Sequence, residues 1–167
     1  MYVIGMEEIG WGTLLLAITM ALHGLGMLGT LRVMHRVKQR LRDPPRLSVA
    51  LGTLILSSWL IAFVHLVEVS VWAGFFLWKH ALPSPSVAYY FALLDYTTLG
   101  SNYSLPSNWR LLAGMIAIAG LMTFAWSTGV LLSLVQDFQN QELQRISQDA
   151  ARKKKRDETA PPPSQSE

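Results

Sequence analysis

Three stretches of this chain, Trp11–Leu31, Leu47–Val67 and Leu111–Val135, contain no Asp, Glu, Lys or Arg. Each reaches the roughly 20 residues a helix needs to cross a ~30 Å hydrocarbon core. The second continues apolar, apart from Glu68, as far as Trp78. In lipid every backbone amide and carbonyl must be paired within the chain, so runs of this length fold as helices. The composition agrees: 15% of the 167 residues are charged, against about a quarter in soluble domains. The expected fold is therefore an all-α membrane protein with three transmembrane helices. There is no cysteine, which excludes disulfides, thiolate metal sites, iron–sulfur clusters and cysteine nucleophiles.

The basic residues fix an orientation. Of the 14 Lys and Arg, six lie in Arg32–Arg46 and six in Arg145–Arg156. Such clusters flanking apolar runs stay in the cytoplasm. This placement, not the net charge of +3, carries the information, and it argues against nucleic acid as a partner. Anionic inner-leaflet lipid is the expected partner of the loop and tail. Residues 1–10, with Glu7 and Glu8, then form an outer N-terminus. Residues 11–31 form the first span, 32–46 a basic cytoplasmic loop, 47–135 a second module, and 136–167 a tail that is helical, then disordered. The first run has no basic residues before it, so it reads as a retained helix rather than a cleaved signal peptide. Gly24, Gly26 and Gly29 suit it to close helix contact. The location expected is the plasma membrane, of bacterial inner-membrane type.

The segment from Lys79 to Arg110 must leave and return on the outer side. Ser84 reads as an N-cap and Pro85 as the first helical residue, opening a helix to Thr97 that reaches only about halfway into a bilayer. The chain then returns through Leu99-Gly100-Ser101-Asn102. Extended backbone at that depth is tolerated only where it is buried in protein or lines water. One solution turns its carbonyls towards an axis, where they replace the hydration shell of an ion. That needs a hydroxyl at the inner mouth, met by Thr98, and residues tolerant of left-handed dihedrals, met by Gly100 and Asn102. It also needs a half-helix whose negative C-terminal end is the deep one.

The strings "YYFALLDYTTLGSN", "LPSNWRLL" and "IAGLMTFAWSTGVLLSLV" resemble the pore module of the tetrameric potassium-channel superfamily, over roughly Leu47–Val135. Tyr90-Phe91, Thr97, Thr98, Leu99 and Gly100 fall in register with that family's signature, as do Pro106 and Gly120. The resemblance implies a homotetrameric, non-enzymatic pore. Its filter would be Thr98, Leu99, Gly100, Ser101 and Asn102, supported by Thr97 and Asp95, and its gating hinge Gly120. The permeant ion would be K⁺, with Na⁺ as the alternative, and no cofactor. Two departures weaken K⁺ selectivity: Asp95 replaces the family's first threonine, and Ser101-Asn102-Tyr103 replaces its Tyr-Gly-Asp. Asp95 is expected behind the filter, accepting backbone hydrogen bonds or concentrating cations.

Several residues keep two readings. Gly120 is a hinge or a packing position. His65 and Glu68, at i and i+3, share a helix face; they form a proton or metal site with His23, or Glu68 makes a structural hydrogen bond near the outer interface. His23 on its own reads as a satisfied interhelical histidine. Trp72, Trp78 and Trp109 are interfacial anchors or core. Thr123, Ser127, Thr128 and Ser133 line a wet cavity or bond back to their own helix. Two rivals use the same groups: haem ligation by His23 and His65, or proton-coupled or metal transport through His65 and Glu68. Soluble-enzyme motifs such as a nucleophile elbow, a metalloprotease helix or a phosphate-cradling glycine loop are not found.

Overall fold

The computed structural model describes residues 5–40 and 47–159, and the regular elements among them are helical. Three helices are long and apolar enough to cross a membrane: α1 (Met6–Arg40), α2 (Leu47–Trp78) and α4 (Leu111–Thr159). Between α2 and α4 lie the short α3 (Pro85–Tyr96) and a 3-10 turn at Ser107–Trp109. The chain is a multi-pass, all-α membrane protein.

The helices overrun the apolar stretches. Residues expected as outer N-terminus join α1 from Met6, and the expected basic loop is helical through Arg40. Apolar content decides which part sits in hydrocarbon, but it does not by itself end a helix. Residues 1–4, 41–46 and 160–167 lie outside the described residues, so the last part of the expected unfolded tail does too. Its beginning is helical: Gln, Glu, Arg and Ala, good helix formers, carry α4 on to Thr159.

Glu8 of α1 accepts a hydrogen bond from the backbone N–H of Leu111, the first residue of α4. Glu7 Oε1 lies 3.4 Å from Lys79 Nζ, just past α2. The starts of α1 and α4 and the end of α2 thus share one end of the molecule. At the other end Arg32 and Arg36 of α1 line one groove with Leu134 and Asp137 of α4. The basic parts of α1 and α4 therefore lie on the same side, as the charge pattern requires.

α1 packs on α2 and α4, and α3 is wedged between α2 and α4. Ala88, Phe91, Ala92 and Tyr96 form the buried face of α3. They meet Trp72, Phe76, Leu112 and Ile116 in a continuous core, with the Phe91 and Phe76 rings edge to face at 5.3 Å. In lipid such contacts act through close packing rather than transfer from water. A Cβ on Gly26 would come within 2.5 Å of Val64, and one on Gly24 within 3.2 Å of Trp126, whereas Gly29 faces open space. Two of the three glycines thus bring α1 close to its neighbours. Trp72 and Trp109 are buried core and only Trp78 is exposed; Trp72 Nε1 donates to Thr19 Oγ1 at 2.9 Å, joining α2 to α1.

Candidate pore site

Ser84 caps α3 by accepting from the Val87 amide at 3.3 Å, and Pro85 occupies the first turn. The 12 residues of α3 span about 18 Å. Its far end meets α2 and α4 deep inside the protein. Tyr96 donates to the carboxylate of Glu68 and shares a hydrogen bond with Thr123 Oγ1. Glu68 lies ten residues before the end of α2 and Thr123 twelve after the start of α4, roughly 15–18 Å inward. The sequence expectation puts Glu68 near the outer end of its helix, making a structural hydrogen bond. The hydrogen bonds are there, but because α2 runs on to Trp78 they are made well inside the helix rather than at its end.

The end of α3 is closed by its own chain. Thr98 N–H donates to Asp95 O at 3.0 Å and Leu99 N–H to Leu94 O at 2.9 Å. This is the Schellman pattern, with Thr98 as the left-handed residue where glycine is usual. Thr98 has φ +63° and Gly100 φ +76°, while Asn102, expected to take a left-handed position, is not among the positive-φ residues. The alternation sits two residues earlier than expected because the cap itself demands a left-handed residue at Thr98. Thr97 Oγ1 bonds back to Leu93 O at 2.9 Å. Thr98, Leu99, Gly100 and Asn102 are exposed in the single chain and Ser101 is half-buried. Of the two readings of Asp95, the one in which it accepts backbone hydrogen bonds finds no support at Oδ2, which is buried without a hydrogen-bond partner.

Gly120 of α4 lies directly against the end of α3. A Cβ there would sit 1.9 Å from the Tyr96 carbonyl oxygen and 2.9 Å from its carbon. Only glycine allows this approach, so the packing reading has a concrete cause.

Behind Tyr96 lies a buried polar cluster drawn from all four helices. His23 Nδ1 of α1 is 2.9 Å from Glu68 Oε1. His65 Nδ1 is 2.8 Å from the Tyr96 hydroxyl and 3.5 Å from Glu68 Oε2. Ser127 Oγ of α4 bonds both imidazoles through Nε2, at 3.1 Å to His65 and 3.2 Å to His23. His23 and Glu68 have no exposed surface. His23 is thus a hydrogen-bonded interhelical histidine, but joined to Glu68 and His65 rather than alone. Ligand atoms of His23, His65 and Glu68 lie within 4.8 Å of one another, close enough to hold a metal ion. A haem between the two histidines does not fit: a single hydroxyl bridges both Nε2 atoms and leaves no room for a porphyrin plane. Ser127 therefore serves this cluster, whereas Thr128 bonds back to Phe124 O at 2.8 Å.

Residues 53–137 match the ion channel family. The chain belongs to that family. No curated protein and no solved structure matches the chain. The matched region of this ion channel protein runs from within α2 through α3 and its hairpin into α4. It holds most of the polar cluster but not His23, which the preceding helix contributes. Glu8 and Tyr96 carry roles that sequence reasoning missed. The signal for Tyr96 was present, as a tyrosine at the inner end of a half-helix opposite an intramembrane Glu. Nothing in the sequence pairs Glu8 with an amide a hundred residues away.

Proposed function

We propose that this ion channel protein is the subunit of a homotetrameric pore that conducts monovalent cations through backbone carbonyls of Thr98 to Asn102. One observation carries the reading. A capped half-helix ends deep inside the protein, followed by a hairpin with left-handed Thr98 and Gly100, inside the matched family region. Alternating handedness turns successive carbonyls to one side of the chain, where they can replace an ion's hydration shell. The negative end of the α3 dipole favours a cation there, and so does the unpartnered Asp95 carboxyl nearby. One hairpin cannot surround an ion, so four copies are required.

In this reading Glu7, Lys79 and the start of α3 face outside and both basic clusters lie in the cytoplasm against anionic lipid, an orientation supported by the clustering of Lys and Arg. Ser101, where the family has an aromatic brace, leaves a loose filter, so K⁺ is favoured over Na⁺ only weakly. Opening by a bend at Gly120 would separate that residue from the Tyr96 carbonyl, which links gate and filter.

Bi-ionic reversal potentials of the purified protein in planar bilayers test the reading. Cation currents with modest K⁺ over Na⁺ preference are expected, and Gly100→Ala should abolish them, because a Cβ is strained at φ +76°. An absence of current from correctly assembled protein, or anion currents, would overturn it.

A further inference from the structure

Glu68, His23, Ser127, His65 and Tyr96 form a closed ring of five hydrogen bonds, each residue touching the next and Tyr96 returning to Glu68. Each bond needs one hydrogen. With Glu68 ionised and both imidazoles neutral, His23, His65, Tyr96 and Ser127 bring one apiece, which makes four. Thr123 cannot supply another, since its hydroxyl points to Tyr96 or to the Ala119 and Gly120 carbonyls, outside the ring. One contact would then set two lone pairs against each other, and the ring would hold an unpaired buried anion, costly away from water. Both faults vanish when one more proton is present.

We infer that the ring binds one exchangeable proton and that this proton holds the inner end of the pore helix in place. The proton makes one histidine an imidazolium beside the Glu68 carboxylate. It can reside on either ring. With His65 charged, Ser127 donates to His23 Nε2; with His23 charged, Ser127 donates to His65 Nε2. Two proton transfers through the Ser127 hydroxyl, from His65 Nε2 to Oγ and from Oγ to His23 Nε2, exchange the two states. The groups that face the ring are few: His23 from α1, His65 and Glu68 from α2, Tyr96 from α3, and the hydroxyls of Thr123 and Ser127 from α4. Asp95, adjacent on α3, makes no hydrogen bond to it. A metal ion is the poorer occupant, because the Tyr96 hydroxyl already stands between Glu68 and His65.

The effect reaches the filter by a short path. Losing the proton leaves one contact of the ring with two facing lone pairs, and one of the arrangements that results sets His65 Nδ1 against the Tyr96 oxygen, 2.8 Å away. The Tyr96 carbonyl rests on Gly120, and Thr97 and Thr98 follow directly. Raising the pH therefore loosens the end of α3 and lowers conduction. The conduction part rests on the cation-pore reading.

Glu68→Gln is the discriminating variant. The introduced side-chain amide supplies a fixed hydrogen in place of the mobile proton. That amide donates to His23, His23 to Ser127, Ser127 to His65, His65 to Tyr96, and Tyr96 back to the amide oxygen. The ring is complete with both imidazoles neutral. Wild-type conduction should fall on alkalinisation, by at most about tenfold per pH unit for one proton, and Glu68→Gln should conduct without that fall. An equal fall in both would overturn the inference. Nitrogen NMR of imidazoles in a His35→Gln, His80→Gln background gives a readout independent of conduction. It should show one imidazolium proton per chain at neutral pH, on one ring or shared between the two, absent after Glu68→Gln. Two neutral rings in the wild type, or zinc retained stoichiometrically and needed for the ring's NMR signature, would overturn it. If the imidazolium is present but no current flows at any pH, the pore reading fails and the proton site stands.

Discussion

Gly120 shows how one missing side chain sets the geometry of the deep end of α3. Its neighbour is a backbone carbonyl, that of Tyr96, which cannot rotate away as a flexible side chain can. Gly120→Ala must push α3 and α4 apart by an ångström or more, in a core where even one methylene is felt. The Tyr96 hydroxyl would then leave Glu68, and a buried carboxylate that loses such a hydrogen bond costs about 1.5–3 kcal/mol. We expect Gly120→Ala to lose thermal stability in detergent, read by a fluorescence unfolding curve. A simple hinge would instead leave the melting temperature unchanged and alter only gating. Thr98 is the second strained point: a β-branched residue in left-handed backbone costs about 1–2 kcal/mol. Its hydroxyl is what a glycine there would lack.

At the scale of the element, the N-termini of α3 and α4 are each held by a partner that fits the helix dipole. Ser84 caps α3, and the carboxylate of Glu8 caps α4 through the Leu111 amide, where negative charge is favoured. Glu8 is buried, so the bond also ties α1 to α4. Glu8→Ala should cost about 1–2 kcal/mol, seen as faster hydrogen exchange at the amides of the first turn of α4, while Glu7→Ala, an exposed neighbour, should leave them unchanged. The two caps differ in how far the sequence discloses them. Ser84-Pro85 was readable because cap and helix are adjacent, and the apolar runs were readable because the bilayer imposes their length. The Glu8–Leu111 and His23–Glu68 bonds join residues far apart in the chain, and neither has a local pattern. Equally, no local rule revealed that Thr98 rather than Asn102 would be left-handed. That followed from how α3 ends, not from which residue tolerates the conformation best.

On the proposed pore reading, the whole chain is arranged around a hairpin that it does not itself complete. Most of its polar groups near the end of α3 are paired: the α3 carbonyls of Leu94 and Asp95 are capped and Tyr96 is bonded to α2 and α4. At the other end of the molecule Lys79 sits over the rings of Trp11 and Trp78 at 4.7 Å and Trp109 at 5.3 Å, holding α1, α2 and the start of α4 together. The residues after Tyr96 are the opposite, with Leu99 76% exposed at the depth where lipid tolerates no unpaired backbone. Something else must line them. Other copies of the chain around an axis would do so, leaving a wet path along the carbonyls. The absence of cysteine makes this easy to test, because Leu99→Cys would carry the only thiol. In a tetramer the introduced thiols gather near the axis, and copper-phenanthroline oxidation in lipid should give covalent dimers. Cysteine at Trp59, exposed on the outside of α2, should give none. Monomer alone from Leu99→Cys, in protein that still binds its neighbours in the native mass spectrum, would mean that these hairpins do not meet and that the conduction path lies elsewhere.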